Sequence, residues 1–399
     1  MKKIRLAMIT DLLDRKPERT PYYRRLITEL LKDPSFEITL IHYEPNPDQP
    51  LYKQAREILL PRIKLPVATR FISFIRFCLT TKEEFDIVHW FMPRVYPFFW
   101  LFPAKKKVIM THGGGDILSP TDIWSWSRTV YNYTLIWFSK YADAMVGVTG
   151  YANREIIYAY GVPPEKVFTI IPSLDQMYDS LPSDDHVCSV LRKYGLVKGS
   201  YILFMGRFRL HKNVGNLVMA YIKYREHNPD TKELLVLAGS TKDEYLRSFG
   251  EVPASPFSSD IKFVGYIETE DMPSIYCGAT ALPFVTLSEG FGMPILEAWA
   301  CKVPVITSGV TAMPEVAGNA AVIIDPHNPE ALAEALALVH KPEVRNMLIE
   351  RGLKRSRFFT MEMSTAGWVE LYRKVLFGHK RLQYDEKPAM PETLPYEIK

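Results

Sequence analysis

The stretch ATALPFVTLSEGFGMPILEA, Ala279–Ala298, joins a short apolar run to a helical pattern through a pair of glycines. Ala279–Val285 reads as a buried strand, and Pro294 suits the first position of a following helix. GFGM is therefore a strand-to-helix turn. Its free backbone N–H groups, together with the helix dipole, favour an anion. Glu289 then stands at the rim of that anion site and Glu297 one turn inside the helix. A carboxylate beside an anion is better suited to hydroxyl groups attached to it, because it accepts two or more O–H donors. The expected ligand carries phosphate in its middle and hydroxyls at both ends.

Outward from this turn, both halves of the 399-residue chain alternate apolar runs with helical patterns, as parallel α/β sheets do. Strands are expected at Ile4–Thr10, Glu37–His42, Ile87–Trp90, Lys107–Thr111, Ala144–Val148 and Val167–Ile171, with helices such as Tyr22–Leu31 and Trp126–Tyr141 between them. A second series runs Tyr201–Met205, Glu233–Ala238, Ile261–Val264, Ala279–Pro283, Pro304–Thr307 and Ala321–Ile324. Asn328 and Pro329 announce a helix as N-cap and first residue. The length exceeds what one core usually supports. The polar stretch Ile171–His186 is the expected hinge. The expected domains are 1–180 and 181–359, with a helix over 360–377 returning to the first and a tail over 378–399. In doubly wound domains the ligand crevice lies at the strand carboxyl ends.

Composition narrows the classes. A net charge of +4 falls short of a nucleic-acid signature, and no RNP, zinc-finger or helix-turn-helix pattern is present, so no nucleic-acid partner is expected. Cys78, Cys188, Cys277 and Cys301 lack metal or disulfide spacing and read as reduced thiols of a cytosolic protein. MKKIRLAMITD reads as a first strand, not a signal peptide. The longest apolar window, Val95–Pro103, is too short to span a bilayer.

Two further motifs follow strands. In MGRFRLHKN, Met205–Asn213, Arg207 and Lys212 can point at one group, a fork and a point charge suited to a diphosphate. The blander reading is two solvated loop cations. In THGGGD, Thr111–Asp116, three glycines allow close approach of a ligand and His112 can exchange a proton near neutral pH. Its blander reading is a tight turn with a hydrogen-bonded histidine. HGGG also resembles an esterase oxyanion loop, but no G-x-S-x-G elbow is present. Neither a P-loop, an H-E-x-x-H nor a D-x-D occurs. No cofactor or metal is expected, and phosphate charge is left to Arg207, Lys212 and the helix terminus.

With these pieces the chain resembles the retaining GT-B glycosyltransferases of family four. Over about Tyr201–Val339, MGRFRLHKN, VGYIETEDMPSIYCGA, SEGFGMPILEAWACKVPVIT and PEVAGNAAVIIDPHNPEALAEAL follow the family pattern in order. The resemblance implies an α/β protein of two doubly wound Rossmann-like domains facing an interdomain cleft. It implies metal-independent transfer of a sugar, with retention, from a nucleotide-diphosphate sugar (UDP- or GDP-linked) to a glycan, lipid-linked or small-molecule acceptor. Arg207 and Lys212 look like the phosphate-holding pair and Glu297 like the carboxylate on the ribose hydroxyls. Glu289, with Gly290, Phe291 and Gly292, resembles the group that positions the donor sugar. Tyr266 and Ile267 fall where the family contacts the base, and His112 resembles a histidine close to the transferred sugar. One departure stands out: the turn after the first strand, ITDLLDRKPERTPYY, holds no glycine where many members have a pair.

The same scaffold carries nucleotide-sugar epimerases and sugar phosphorylases, and a sugar-nucleotide-binding scaffold without catalysis is the rival from another class. The basic, apolar stretches 61–82 and 94–107 raise a further expectation, peripheral contact with an anionic membrane face. Its competitor is that Phe71, Phe74, Ile75, Phe77 and Cys78 pack on the first domain's sheet while the cations are solvated.

Overall fold

A computed structural model of the chain describes residues 3–10, 13, 21–43, 46, 49–60, 69–91, 99–111, 136–137, 139–378 and 396–397. The chain divides into two compact units. One comprises Met1–Ser173 and Thr360–Asp385, the other Leu174–Phe359 and Glu386–Lys399.

The first unit is built on parallel strands β1 (Ile4–Ile9), β2 (Phe36–His42), β3 (Arg56–Leu59), β4 (Phe85–Trp90), β5 (Ala104–Met110), β6 (Ala144–Gly147) and β7 (Val167–Thr169). Their order is β3-β2-β1-β4-β5-β6-β7. The central strand IRLAMI is nearly all apolar because both faces of a doubly wound sheet are covered, and Leu6 pairs with Ile38 on one side and Ile87 on the other. β3 is the strand that the sequence pattern does not announce. It has four residues, two of them charged and three exposed, as suits a guarded sheet edge.

Helix Met361–Phe377 belongs to this unit. It is N-capped by Thr360, whose side chain accepts from the Met363 N–H. Its buried residues Met361, Ser364, Trp368, Leu371 and Tyr372 recur at helical spacing. Trp368 Nε1 donates to Tyr22 Oη at 3.0 Å, which ties it to helix Pro21–Leu31.

In helix Thr69–Thr80, Phe74 and Phe77 are buried beside Phe85 and Phe102, so those two rings are occupied by the core. Lys105 pairs with Asp86 and Lys106 with Asp143. Residues 61–68 and 94–98 of the two basic stretches lie outside the described residues, as does most of the expected helix Trp126–Tyr141. Among the described residues no helix is long and apolar enough to cross a membrane.

The second unit starts at Leu174, earlier than the expected boundary after residue 180. Leu174 N–H donates to Phe359 C=O at 3.2 Å, and the Tyr178 ring meets Tyr276 edge-on at 6.2 Å, so 174–180 packs with this unit. Its parallel strands are β8 (Tyr201–Met205), β9 (Leu234–Ala238), β10 (Ile261–Gly265), β11 (Leu282–Phe284), β12 (Val305–Ser308) and β13 (Val322–Ile324). They run β10-β9-β8 and β11-β12-β13, and the two-residue strand Tyr396–Glu397, from the stretch expected as a tail, pairs parallel to β13. The two sets meet through the parallel bridge Ile202–Ala281, with Leu203 N–H on Ala281 C=O at 2.9 Å. The Asn328 side chain caps helix Pro329–Val339 by accepting from the Glu330 and Ala331 N–H groups, with Pro329 at its first position.

Candidate functional site

From β8 the chain of the second unit winds outward to β9 and β10, then returns to β11 beside β8 and winds the other way. The carboxyl ends of β8 and β11 therefore flank the topological switch point, where doubly wound sheets open a crevice. The loop after β8 carries Arg207 and Lys212, and the loop after β11 carries Glu289–Gly292. Strand order alone thus brings together two motifs nearly 80 residues apart.

Lys212 ends a short 3₁₀ turn, Leu210–Lys212. The next residue, Asn213, takes the left-handed conformation (φ 59°) and is buried, its amide donating to Val285 and Pro326 carbonyls at 3.1 and 2.7 Å. That clamp fixes the Lys212 backbone. Its ammonium donates to Glu289 Oε1 and lies 4.9 Å from the centre of the Phe284 ring. The pair is mostly shielded, with side chains 16% and 21% exposed, so its attraction is stronger than that of a surface pair.

Glu289 is held from the other side as well. Its N–H donates to Thr311 Oγ1 and its carbonyl accepts from Ala312 N–H, both at 3.3 Å. Thr311 sits at φ 56°, a conformation costly for a β-branched residue. Strain of that kind persists only where surroundings enforce it, and here it accompanies the backbone of a candidate site residue.

The glycine turn ends at Gly292, φ 90°, which caps helix Met293–Ala300. The positive φ calls for glycine, and a Cβ there would also crowd Met313 Cε at 2.9 Å and the Phe284 ring at 3.3 Å. The helix begins at Met293, one residue earlier than expected, and Pro294 takes its second position. Among the described residues no group accepts from the N–H of Phe291 or Gly292. The Phe291 side chain is buried edge-on to Phe359 at 5.7 Å, so only its backbone faces the turn as an available donor.

Glu297 occupies the first turns of the same helix in different company. It is half-buried, and Oε2 accepts from the hydroxyl of Tyr276 at 2.5 Å. Burial pushes its carboxyl up to about 7. Asp175 pushes the same way and the Tyr276 hydrogen bond opposes. Burial raises the Tyr276 phenol well above its ordinary range, so it stays a donor.

Arg207 is exposed on the loop after β8, its carbonyl accepting from Arg209 N–H at 3.0 Å. Tyr266 (63% exposed) and half-buried Ile267 follow β10, at the same end of the sheet. The structure thus brings Lys212 onto Glu289, sets Gly290–Gly292 and Glu297 on one turn and helix, and leaves Arg207, Tyr266 and Ile267 at the strand ends. His112 lies outside the described residues. Sequence reasoning missed Tyr276, Thr311 and Phe284. The one available signal was Tyr276 itself, since a tyrosine in an apolar helix needs a partner for its hydroxyl.

A doubly wound sheet with charged groups gathered at its switch point defines an α/β class whose ligands sit at the strand ends. Residues 192–355 match the family described as glycosyl transferases group 1, and residues 14–175 the one described as glycosyltransferase family 4. The chain belongs to this glycosyltransferase family. Over 240 residues it is 31% identical to O-antigen chain mannosyltransferase B of Escherichia coli, covering 58% of this chain and 61% of that protein. The chain thus spans less than two thirds of that relative's length. It is 23% identical over 325 residues to a D-inositol 3-phosphate glycosyltransferase of Corynebacterium glutamicum, covering 76% of each. The crystal structure of Anabaena HepE in complex with UDP and glucose superposes with a TM-score of 0.69 at 14% identity, over 92% of this chain and 99% of that one. The fold is GT-B.

Proposed function

We propose that the protein transfers a sugar from a nucleoside-diphosphate sugar, UDP- or GDP-linked, to a glycan or lipid-linked acceptor, with retention and without a metal. One observation carries the reading: Lys212 stands against Glu289 at the mouth of the second unit's switch point, on the turn that leads to Glu297. In this reading the diphosphate lies between Arg207, Lys212 and the Phe291–Gly292 N–H groups. Glu297 accepts from the ribose hydroxyls, Glu289 orients the donor sugar, and Tyr266 and Ile267 border the base. His112 lies near the transferred sugar.

The acceptor hydroxyl attacks the anomeric carbon on the face from which the phosphate departs. The glycosidic C–O bond breaks with its electron pair passing to the phosphate oxygen, which takes the acceptor's proton. Arg207, Lys212 and the helix terminus stabilise the charge that grows on the leaving group, which is binding realised most fully in the transition state. Metal independence rests on the absence of a D-x-D from the sequence. The names of the relatives support transfer of a hexose, and the HepE complex supports a nucleotide donor.

Calorimetry with UDP, GDP and ADP tests the donor assignment. Lys212→Ala and Arg207→Ala should each weaken the bound nucleotide by about 1.5–3 kcal/mol, as for a lost charged hydrogen bond. Both variants binding like the parent would overturn it. Turnover of the matching nucleotide sugar should survive excess EDTA, and a complete loss restored by Mn²⁺ or Mg²⁺ would refute metal independence.

A further inference from the structure

The two acids of the turn differ in what holds them. Glu289 has a cation. Glu297 has none among its contacts, and the groups acting on it are Asp175, Tyr178, Tyr276 and Cys301. Of these, Tyr276 alone is hydrogen-bonded to its carboxylate.

Tyr276 is well placed to hold a direction. It is fully buried on helix Met272–Cys277, its ring edge-on to Tyr178, and it has little rotational freedom in that setting. Its hydroxyl engages Oε2. No hydrogen bond to Oε1 is made among the described residues. One oxygen is anchored from behind and the other is left as an acceptor.

Resting on the ribose role given to Glu297 above, we propose that Tyr276 is the positioning residue for nucleoside recognition. Its hydroxyl fixes the Glu297 carboxylate by one oxygen, so that the other meets the vicinal ribose diol. The anchor serves a second end. A carboxyl pushed up to about 7 is on the edge of protonation near neutral pH, and the protonated form has lost acceptor capacity. A hydrogen bond to the charged form favours that form. Removing the hydroxyl therefore loosens the carboxylate and also makes it protonate at higher pH.

The sign of the effect follows. In the parent, the preference for a ribonucleotide over its dideoxy analogue, in which the diphosphate's own titration cancels, is full well above pH 7 and falls as pH drops through about 7. In Tyr276→Phe, which keeps the ring and its packing, the midpoint of that fall moves up by about half to one pH unit. At pH 7 the preference for UDP or GDP over its 2′,3′-dideoxy analogue shrinks about tenfold.

The experiment is titration of UDP, GDP, their dideoxy analogues and pyrophosphate into parent, Tyr276→Phe, Glu297→Gln and the double variant, from pH 5.5 to 8.5. Glu297→Gln should abolish the pH step, and adding Tyr276→Phe to it should change neither the step nor the ribose preference further. A Tyr276→Phe protein with the parent's midpoint and the parent's ribose preference overturns the proposal and leaves the donor reading standing. A parent that binds ribo and dideoxy nucleotides alike, with pyrophosphate still bound, removes the ribose role of Glu297 and this proposal with it. Should Tyr276→Phe weaken pyrophosphate as much as UDP or GDP, the residue supports the fold of the whole turn, and positioning is overturned.

Discussion

The two units place polar groups differently at the heart of similar sheets. In the first, His89 on β4 is fully buried, bonded through Nδ1 to Tyr372 Oη at 2.7 Å and packed 4.2 Å from both Phe91 and Trp368. Burial lowers it to about 3, so it is neutral throughout the physiological range. In the second, the polar groups near the switch point stay partly exposed: Lys212 bonded to Glu289, Arg207 in solvent, and half-buried Glu297 pushed up to about 7. A polar residue in a sheet is thus no sign of chemistry by itself. What separates the two cases is the company kept: His89 is closed in by rings, while Lys212 and Glu289 form a shielded ion pair that stays within reach of a ligand.

The sharpest way to break this contrast is Trp368→Ala. The indole is fully buried, supports His89 and donates to Tyr22. Its loss should lower the stability of the first unit by about 3–5 kcal/mol, the usual cost of truncating a buried aromatic. Nucleotide affinity of the protein that remains folded should stay within about twofold, because the donor groups lie in the other unit. Urea melts and calorimetry on one preparation give both numbers. A large stability loss accompanied by a large affinity loss would show that the units are not energetically separate.

How much of this was legible in the sequence follows the same line. The switch-point motifs were readable because glycine, proline and charge at fixed spacing have few other meanings, and Gly292 at φ 90° shows why that glycine is there. The strands were readable from apolar runs, except β3, whose charged edge residues carry no such pattern, and the two-residue strand Tyr396–Glu397, too short for any pattern. Tyr276 offered only the signal of a hydroxyl in need of a partner, and that partner lies 21 residues away, where only the fold brings the two together. Phe291 was read within a ligand-contacting turn, while its ring is occupied by Phe359, a contact that no local rule foresees. The boundary at Leu174 was hidden for the same reason, since 174–180 looks like a linker until Tyr178 meets Tyr276.

A subtler effect separates the units by pH. His89 is about 3 when folded and near 6.5 when not, so between those values the unfolded chain binds the extra proton. Its contribution is fully present above about 6.5 and is lost on acidification, by up to about 1.4 kcal/mol per pH unit. Glu297 runs the other way. Raised from 4.5 to about 7, it binds its proton first in the folded state, so acidification from 7 to 4.5 stabilises by a similar slope. In the parent the two trends run in opposite directions, each in its own unit. Glu297→Gln should remove the gain of the second unit on acidification between pH 6.5 and 5, by about 1 kcal/mol per unit, and leave the first unit's loss unchanged, read in urea melts followed by hydrogen exchange in peptides of each unit. An unchanged slope would mean that Glu297 titrates near its ordinary value.

The smallest effect concerns the basic surface of the first unit. Each cation near an anionic bilayer adds roughly 1 kcal/mol, and an apolar helix face adds more when it can enter the interface. Here Phe74 and Phe77 face the core, and among the described side chains of helix Thr69–Thr80 the exposed apolar ones are Ile72 and Leu79. Lys105 and Lys106 already have Asp86 and Asp143 as counter-charges, which reduces the field they present. These described residues should therefore add little to vesicle binding. Lys105→Gln with Lys106→Gln should change co-sedimentation with anionic vesicles at low salt by less than about threefold, well under what two unpaired cations would give. A tenfold or larger drop, absent with neutral vesicles, would mean that the acids release these lysines at a charged surface. In that case the contrast drawn above would narrow, because the first unit too would hold charge in readiness for a ligand.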